Sequence, residues 1–293
     1  MHPSKFDYHR ANSVNEAISL AQRHSGAKFL AGGHSLIPIL NLRLAEPEVL
    51  IDIGFIDDLK GITITQDGGC KIGALTTHAV VAANHDVPAA LSQAAAMIGD
   101  PQVRNRGTVG GNVSHADPSS DLPIVFSALE AIFEISGPDG ERSVVANDFF
   151  LDLFMTALQD GEILKSISIR SPHPGRKFND AAGSAYVKMP NPASRYAIIG
   201  VAAVVTLRDN KCESASVALG GLTATATRAP SVEAALIGQA LGQDTLVSAA
   251  KAVQDDLDDD VLGDIHASAE YRRANAPLLV QQALMEAAGR AAL

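Results

Sequence analysis

The sequence has no tryptophan, two cysteines, and an aromatic content of only 4%. Two cysteines cannot ligate an iron–sulfur cluster of the usual all-cysteine kind, and a structural zinc needs three or four clustered Cys or His ligands. Cys70 and Cys212 therefore read as two buried, inert thiols, since a disulfide between them is disfavoured in a reducing compartment. Long apolar runs are missing too. Nothing approaches the roughly 18–20 uninterrupted apolar residues that span a bilayer. The opening Met1-His2-Pro3-Ser4-Lys5-Phe6-Asp7-Tyr8 has no apolar signal region, which makes the cytoplasm the expected location. Basic excess is also absent. With 23 Lys+Arg against 33 Asp+Glu the formal net charge is −10, which argues against a nucleic-acid binder, whose footprint is a basic patch or stripe.

What is present is an ordinary globular balance, 46% hydrophobic and 19% charged over 293 residues, and at this length two domains are expected rather than one. Phe6-Asp7-Tyr8 reads as a short strand. Val14, Ala17, Ile18 and Ala21 recur at helical spacing, and Ser13 with Glu16 forms a capping-box signature at that helix start. Lys28 to Ala31 and Val49 to Ile53 read as further strands. Short strands at 61–65 and 70–73 flank a hairpin turn, Asp67-Gly68-Gly69. Helices are expected at 77–84 and 88–98, and strands at 131–136, 143–145 and 163–169. Ser171-Pro172-His173-Pro174-Gly175-Arg176 is the best linker in the chain. Beyond it, 185–188, 198–207 and 215–220 look strand-like, and a final helix runs from about Ala276 to Ala292. The acidic run Asp255 to Asp260 reads as a solvated helix end or loop.

Two glycine-rich segments stand out. One is Leu30-Ala31-Gly32-Gly33-His34-Ser35-Leu36 and the other Arg106-Gly107-Thr108-Val109-Gly110-Gly111-Asn112. Adjacent glycines flanked by a small hydroxyl residue or amide let bare backbone N–H groups close on an oxyanion. Two such loops in one domain point to a diphosphate held from both sides, as in a dinucleotide cofactor. In a chain this acidic, local N–H groups must do the neutralising. Neither segment matches the G-x-G-x-x-G or the G-x-x-x-x-G-K-[ST] fingerprint, and Gly33-His34-Ser35 is no nucleophile elbow.

These residues carry a resemblance. Ala31 to Ser35 followed by Asp52-Ile53, together with Asp100-Pro101-Gln102-Val103-Arg104-Asn105-Arg106-Gly107-Thr108-Val109-Gly110-Gly111-Asn112, resemble the FAD-binding medium subunit of molybdenum hydroxylases, the carbon monoxide dehydrogenase and xanthine dehydrogenase family. The likeness extends to Ile72 to Thr77, Gly161 to Leu164 and Tyr271-Arg272. It implies an α+β fold: a two-subdomain PCMH-type FAD-binding domain over 1–175 (subdomains about 1–57 and 58–175), then a C-terminal α+β flavoprotein domain over 176–293, a small antiparallel sheet with helices.

The resemblance also implies site residues. Leu30, Ala31, Gly32, Gly33, His34, Ser35 and Leu36 would wrap the FAD diphosphate from one side, and Gly107, Thr108, Gly110, Gly111 and Asn112 from the other. Ala74 and Thr77 would lie along the cofactor, Ser120 and Asp121 beside its adenosine and ribityl portions with Asp121 accepting from a hydroxyl, and Leu164, Lys188 and Tyr196 near the isoalloxazine ring. Bland readings remain for several. His34 can make only a backbone hydrogen bond, Asp121 can N-cap a helix, Lys188 can sit on a solvated strand face, and Tyr196 can be a core aromatic. Arg104 and Arg106 read as interface ion-pair residues rather than phosphate ligands. The stretch from Lys188 to Tyr196 departs from the version expected of true carbon monoxide dehydrogenases.

The implied role is electron transfer, with no catalytic residue and no metal in this chain. A large partner subunit would hold a molybdopterin–molybdenum cofactor and a small partner two [2Fe–2S] clusters, in a dimer of heterotrimers. FAD here would pass electrons to an external acceptor such as a quinone, NAD or oxygen. The alternatives are a free-standing PCMH-type flavin oxidase or dehydrogenase, and a scaffold subunit that has lost FAD.

Overall fold

Short apolar runs broken by one amphipathic segment give a small parallel sheet at the N-terminus. In the computed structural model, which describes residues 2–291, strands β1 (Asp7–Arg10), β2 (Lys28–Leu30) and β3 (Val49–Asp52) are ordered β1-β3-β2 with both pairs parallel. Parallel neighbours need a crossover, and helix Val14–Arg23 supplies the first, burying Ala17, Ile18 and Leu20. Ser13 Oγ accepts from the Glu16 N–H at 3.1 Å, as the cap signature requires. The return half of the box is shifted by one residue: the Glu16 carboxylate accepts from the Asn12 N–H at 2.8 Å.

The next sheet is antiparallel. Strands β4 (Ile62–Ile64), β5 (Cys70–Gly73), β6 (Ile132–Gly137), β7 (Gly140–Val145) and, after the small hairpin β8 (Phe150–Asp152) with β9 (Met155–Thr156), β10 (Ile163–Ile169) are ordered β4-β5-β10-β6-β7. Helices Ala89–Met97 and Asp121–Ala128 pack beside this sheet. In a chain without tryptophan, phenylalanines supply the bulk of this core. Phe133 stacks on Phe149 with ring centroids 4.1 Å apart, and Phe126 and Phe150 meet Phe133 edge-on, a geometry favoured by the ring quadrupole.

The last sheet comprises β11 (Gly183–Pro190), β12 (Ala197–Arg208), β13 (Lys211–Gly220) and β14 (Thr227–Arg228), antiparallel in that order. Its two faces are buried in different cores. Tyr186, Ala202 and Ala218 join the cluster around helix Asp121–Ala128, whereas Val201, Ala203, Val217 and Leu219 pack with the final helix. This accounts for the near-continuous apolar run of β12, which lacks the alternation of a strand with one wet face. Helix Asp121–Ala128 is thereby clamped between two sheets, with all eight of its residues buried.

The final helix spans Ala269–Ala291, starting a full two turns before the expected Ala276; the expected last residue, Ala292, lies outside the described residues. Pro277 suggests a helix start, because it lacks an N–H donor. The turns before it are held by Arg272, which is 3% exposed. Its guanidinium donates to the carbonyls of Ile198 (2.7 Å) and Gly221 and to Asp264 Oδ2 (2.6 Å). In the acidic run, Asp258, Asp259 and Asp260 are exposed, and the Asp256 carboxylate accepts from the Ser231 N–H at 3.0 Å at the start of helix Pro230–Leu236. No helix among the described residues is long and apolar enough to cross a membrane.

Candidate functional site

The two glycine segments meet along the seam between the first two sheets. The approach is so close that a Cβ on Gly32 would lie 2.1 Å from the Arg106 carbonyl oxygen. A cavity of about 580 Å³ opens along this seam, within the size range of small-molecule and cofactor sites. From the first segment Ala31 to Leu36 line it, and from the second Gly107, Thr108, Gly110, Gly111 and Asn112 do. Ala74, Ser120, Asp121, Leu164 and Tyr196 complete the expected residues on its wall.

The two segments offer different chemistry. The first turns out of β2 through Gly33 at φ +78° and runs into helix Leu36–Asn41. Among the described residues, the N–H groups of Gly32, Gly33, His34, Ser35 and Leu36 meet no protein acceptor. Five consecutive free donors beside a cavity form an anion cradle. The second segment, expected as a loop, is instead the first turn of helix Val109–His115. Its N–H groups are mostly engaged: Val109 donates to Thr76 O (2.9 Å), Gly110 to Ala74 O (2.7 Å), and Gly111 to the capping Thr108 Oγ1 (3.1 Å). A Cβ on Gly110 would sit 2.5 Å from that of Ala74, so this glycine serves the packing of the helix against the strand end. The second segment contributes close approach and a helix N-terminus; the first contributes the donors.

Further along the wall, Ser120 holds the N-cap position and Asp121 is the first residue of its helix, so Asp121 is not the cap. Its buried carboxylate accepts from Tyr186 Oη (2.5 Å) and Lys188 Nζ (2.9 Å). Burial pushes the Asp121 carboxyl above its ordinary range, against the pull of the Lys188 charge and the Tyr186 hydroxyl. Lys188 is no solvated strand residue, its side chain being 3% exposed. Its ammonium also donates to the carbonyls of Met97 (3.1 Å) and Arg195 (2.7 Å), which uses all three of its protons. The Arg195 contact fixes the turn between β11 and β12 that carries Tyr196 to the cavity. Burial raises the Tyr196 phenol, with the charges of Asp117 and Asp121 adding to the effect.

Leu30, Thr77 and Lys188 stand behind the cavity wall rather than on it. Leu30 ends β2, with its Cδ1 beneath Gly33, and Thr77 pairs with Thr108 in an isolated bridge that joins the two elements. His34 both lines the cavity and sets Nε2 3.3 Å from the Gln102 carbonyl oxygen. Arg104 turns inward, donating to the carbonyls of Ile98 (3.0 Å) and Gly99 (3.1 Å) at the end of helix Ala89–Met97. Both cysteines are free and buried; burial pushes the thiols up to about 12 for Cys70 and about 11 for Cys212. The wall also includes His78, Ile98, His115 and Glu162, which the sequence reading passed over. His78 had a signal: it directly follows Thr77 and opens an apolar helix. Glu162 lies in the Gly161 to Leu164 segment that carried the resemblance, but its partner Arg142, at 2.7 and 2.6 Å, comes from β7, distant in sequence.

A dinucleotide fits this arrangement on two counts: unspent N–H donors on residues that line the cavity, and Asn112 Oδ1, buried without a partner on another lining residue. Residues 4–172 match the model of the FAD binding domain in molybdopterin dehydrogenase. Residues 184–287 match the CO dehydrogenase flavoprotein C-terminal domain. The chain belongs to the flavin-binding medium-subunit family of the molybdenum hydroxylases. Within this family it is 38% identical over 298 residues to the carbon monoxide dehydrogenase medium chain of Hydrogenophaga pseudoflava, covering 100% of both chains. The solved carbon monoxide dehydrogenase of that organism superposes with a TM-score of 0.91 over 99% of each chain. The glyceraldehyde dehydrogenase medium chain of Sulfolobus acidocaldarius is 35% identical, over 98% of this chain and 100% of that one. Quinoline 2-oxidoreductase from Pseudomonas putida 86 matches at 29% identity and a TM-score of 0.91, over 100% of each chain. Like these relatives, the chain is an FAD-dependent oxidoreductase subunit.

Proposed function

We propose that this chain is the electron-transfer flavoprotein of a molybdenum hydroxylase complex. The observation that carries this is the row of unengaged N–H donors at Gly32–Leu36 opening on a cavity that also reaches Asp121 and Tyr196. A diphosphate would sit on the donors, with Gly107 to Asn112 closing over it. Asp121, held in place by Tyr186 and Lys188, would accept from hydroxyl groups of the cofactor. Bound FAD supplies the exchange of electrons between a cluster and an acceptor; the chain's own work is to seat the cofactor and exclude bulk water. Residues 1–175 would form the FAD-binding domain and 176–293 the C-terminal domain, clamped to it through helix Asp121–Ala128.

Electrons would come from the [2Fe–2S] clusters of a small partner, after substrate oxidation at the molybdopterin–molybdenum cofactor of a large partner. They would leave to an external acceptor, in a cytoplasmic dimer of heterotrimers. Relatives named for carbon monoxide, glyceraldehyde and quinoline share this subunit's architecture, which supports placing substrate choice in the large partner. The test is affinity purification from the native host, with a visible spectrum, metal analysis and identification of co-purifying chains. Flavin, iron and molybdenum with one larger and one smaller chain support the proposal. Flavin without metal or partners would instead favour a free-standing flavoenzyme.

A further inference from the structure

His78 opens helix His78–Ala82 and is 3% exposed, yet it lines the cavity. Its Nδ1 is sealed in the interior with no hydrogen-bond partner. Buried polar atoms in native structures are almost always bonded, so each exception calls for an explanation. The opposite ring edge lies under Gly107, where a Cβ would stand 2.8 Å from Cδ2 and 2.9 Å from Nε2. Only glycine leaves that edge bare, and Gly107 lines the same cavity. With no acceptor near Nδ1, the proton belongs on Nε2, because an orphaned buried N–H is the rarer and costlier arrangement. Burial lowers the imidazole pKa to about 4, with the neighbouring His34 and Arg104 adding to the effect. The ring is therefore uncharged at neutral pH and presents one donor toward the cavity.

We propose that His78 is a cofactor-binding residue whose Nε2–H donates a hydrogen bond to an oxygen or nitrogen acceptor of the FAD seated in this cavity. The assignment rests on the flavoprotein reading above and adds a contact from the helix that follows Thr77, outside both glycine segments. Ile98, Gly99 and Val103 also bound the cavity, and a cofactor acceptor buried there without a donor would be costly. A donor in such a place fixes the cofactor's position in the cavity.

The experiment compares wild type with His78→Leu, His78→Gln and Gly107→Ala in the full chain, co-expressed with its partner subunits. Flavin per protein, FAD affinity by fluorescence titration after stripping, and the melting temperature of the stripped protein are read for each. Leu should weaken FAD binding about tenfold, the share of one hydrogen bond. It should leave the stripped protein's melting temperature unchanged or raised, since it removes an unpartnered polar ring. Gln, which restores an N–H donor, should recover much of the affinity. Gly107→Ala should weaken binding by covering the ring edge with the imidazole still present. Wild-type affinity in the Leu variant overturns the proposal, as does a Leu variant whose lost affinity merely follows lost stability. Should Leu not fold, His78→Phe, which keeps a ring but has no N–H donor, is read against Gln in its place, and wild-type affinity in Phe overturns the proposal. A wild type that takes up no FAD fails the flavoprotein reading itself, whereas a loaded wild type beside an equally loaded Leu variant fails only His78.

Discussion

Gly33 and Gly110 look alike in the sequence and do different work. Gly33 turns the chain at φ +78°, and a Cβ there would come within 3.1 Å of Ile37 Cγ1. Left-handed backbone at a residue with a Cβ costs on the order of 1–2 kcal/mol, and a branched side chain would also crowd the five free donors. Gly33→Val should therefore abolish FAD retention while lowering stability only modestly. A folded variant with full flavin absorbance would sink the cradle assignment. Gly110→Ala, by contrast, meets Ala74 on a neighbouring element and should lower the melting temperature of the stripped protein before any effect on binding. Glu162 makes a prediction in pH. Bidentate hydrogen bonding from Arg142 holds its carboxyl below the ordinary value of 4.5. Its contribution is thus complete above pH 4.5 and is lost as pH falls through the lower folded value. Glu162→Gln should flatten the acid limb of a stability–pH curve measured by urea melts; an unchanged limb would remove the ion pair from the account.

At the scale of elements, the buried Asp121–Lys188 pair is the joint between helix Asp121–Ala128 and β11. Removing one member of such a pair strands the other, at roughly 3–5 kcal/mol. Lys188→Met should be severely destabilised, and Lys188→Met with Asp121→Leu should regain much of that stability without regaining FAD. Urea midpoints on the two proteins check the first half and flavin content the second. Elements whose signals are local were legible from the chain alone: the Ser13 cap, the Asp67-Gly68-Gly69 hairpin and the central strand β10 fall where their residues put them. What escaped was decided across the fold. The Gly110-Gly111 pair read as an anion-binding loop because paired glycines beside a hydroxyl residue and an amide bare their N–H groups, but the Thr108 cap and the contact with Ala74 place it in a helix. The last helix was expected from about Ala276, yet Arg272, anchored on the carbonyls of two other segments, lies in two further turns before it. In the site, the donor row followed from sequence, whereas the role of Lys188 depended on Met97 and Arg195 being brought to it.

The whole molecule is acidic. Its formal charge of −10 gives no bulk attraction for a diphosphate, so the affinity for FAD must be local, in N–H groups and a shaped cavity. Such binding should vary weakly with salt, because screening acts on long-range charge and little on desolvated contacts. Among the described residues no group of three or more His, Cys, Asp or Glu is arranged to hold a metal. The two cysteines lie on β5 and β13, in different sheets, each a buried thiol raised far from reactivity. A Cys70→Ala, Cys212→Ala double variant should accordingly assemble with wild-type iron and flavin per complex. It should lose no more stability than two small cavities cost, roughly 1–3 kcal/mol in all. Iron lost in proportion to either substitution, with flavin intact, would mean that this chain helps to hold a cluster, and the division of labour between the subunits would have to be redrawn.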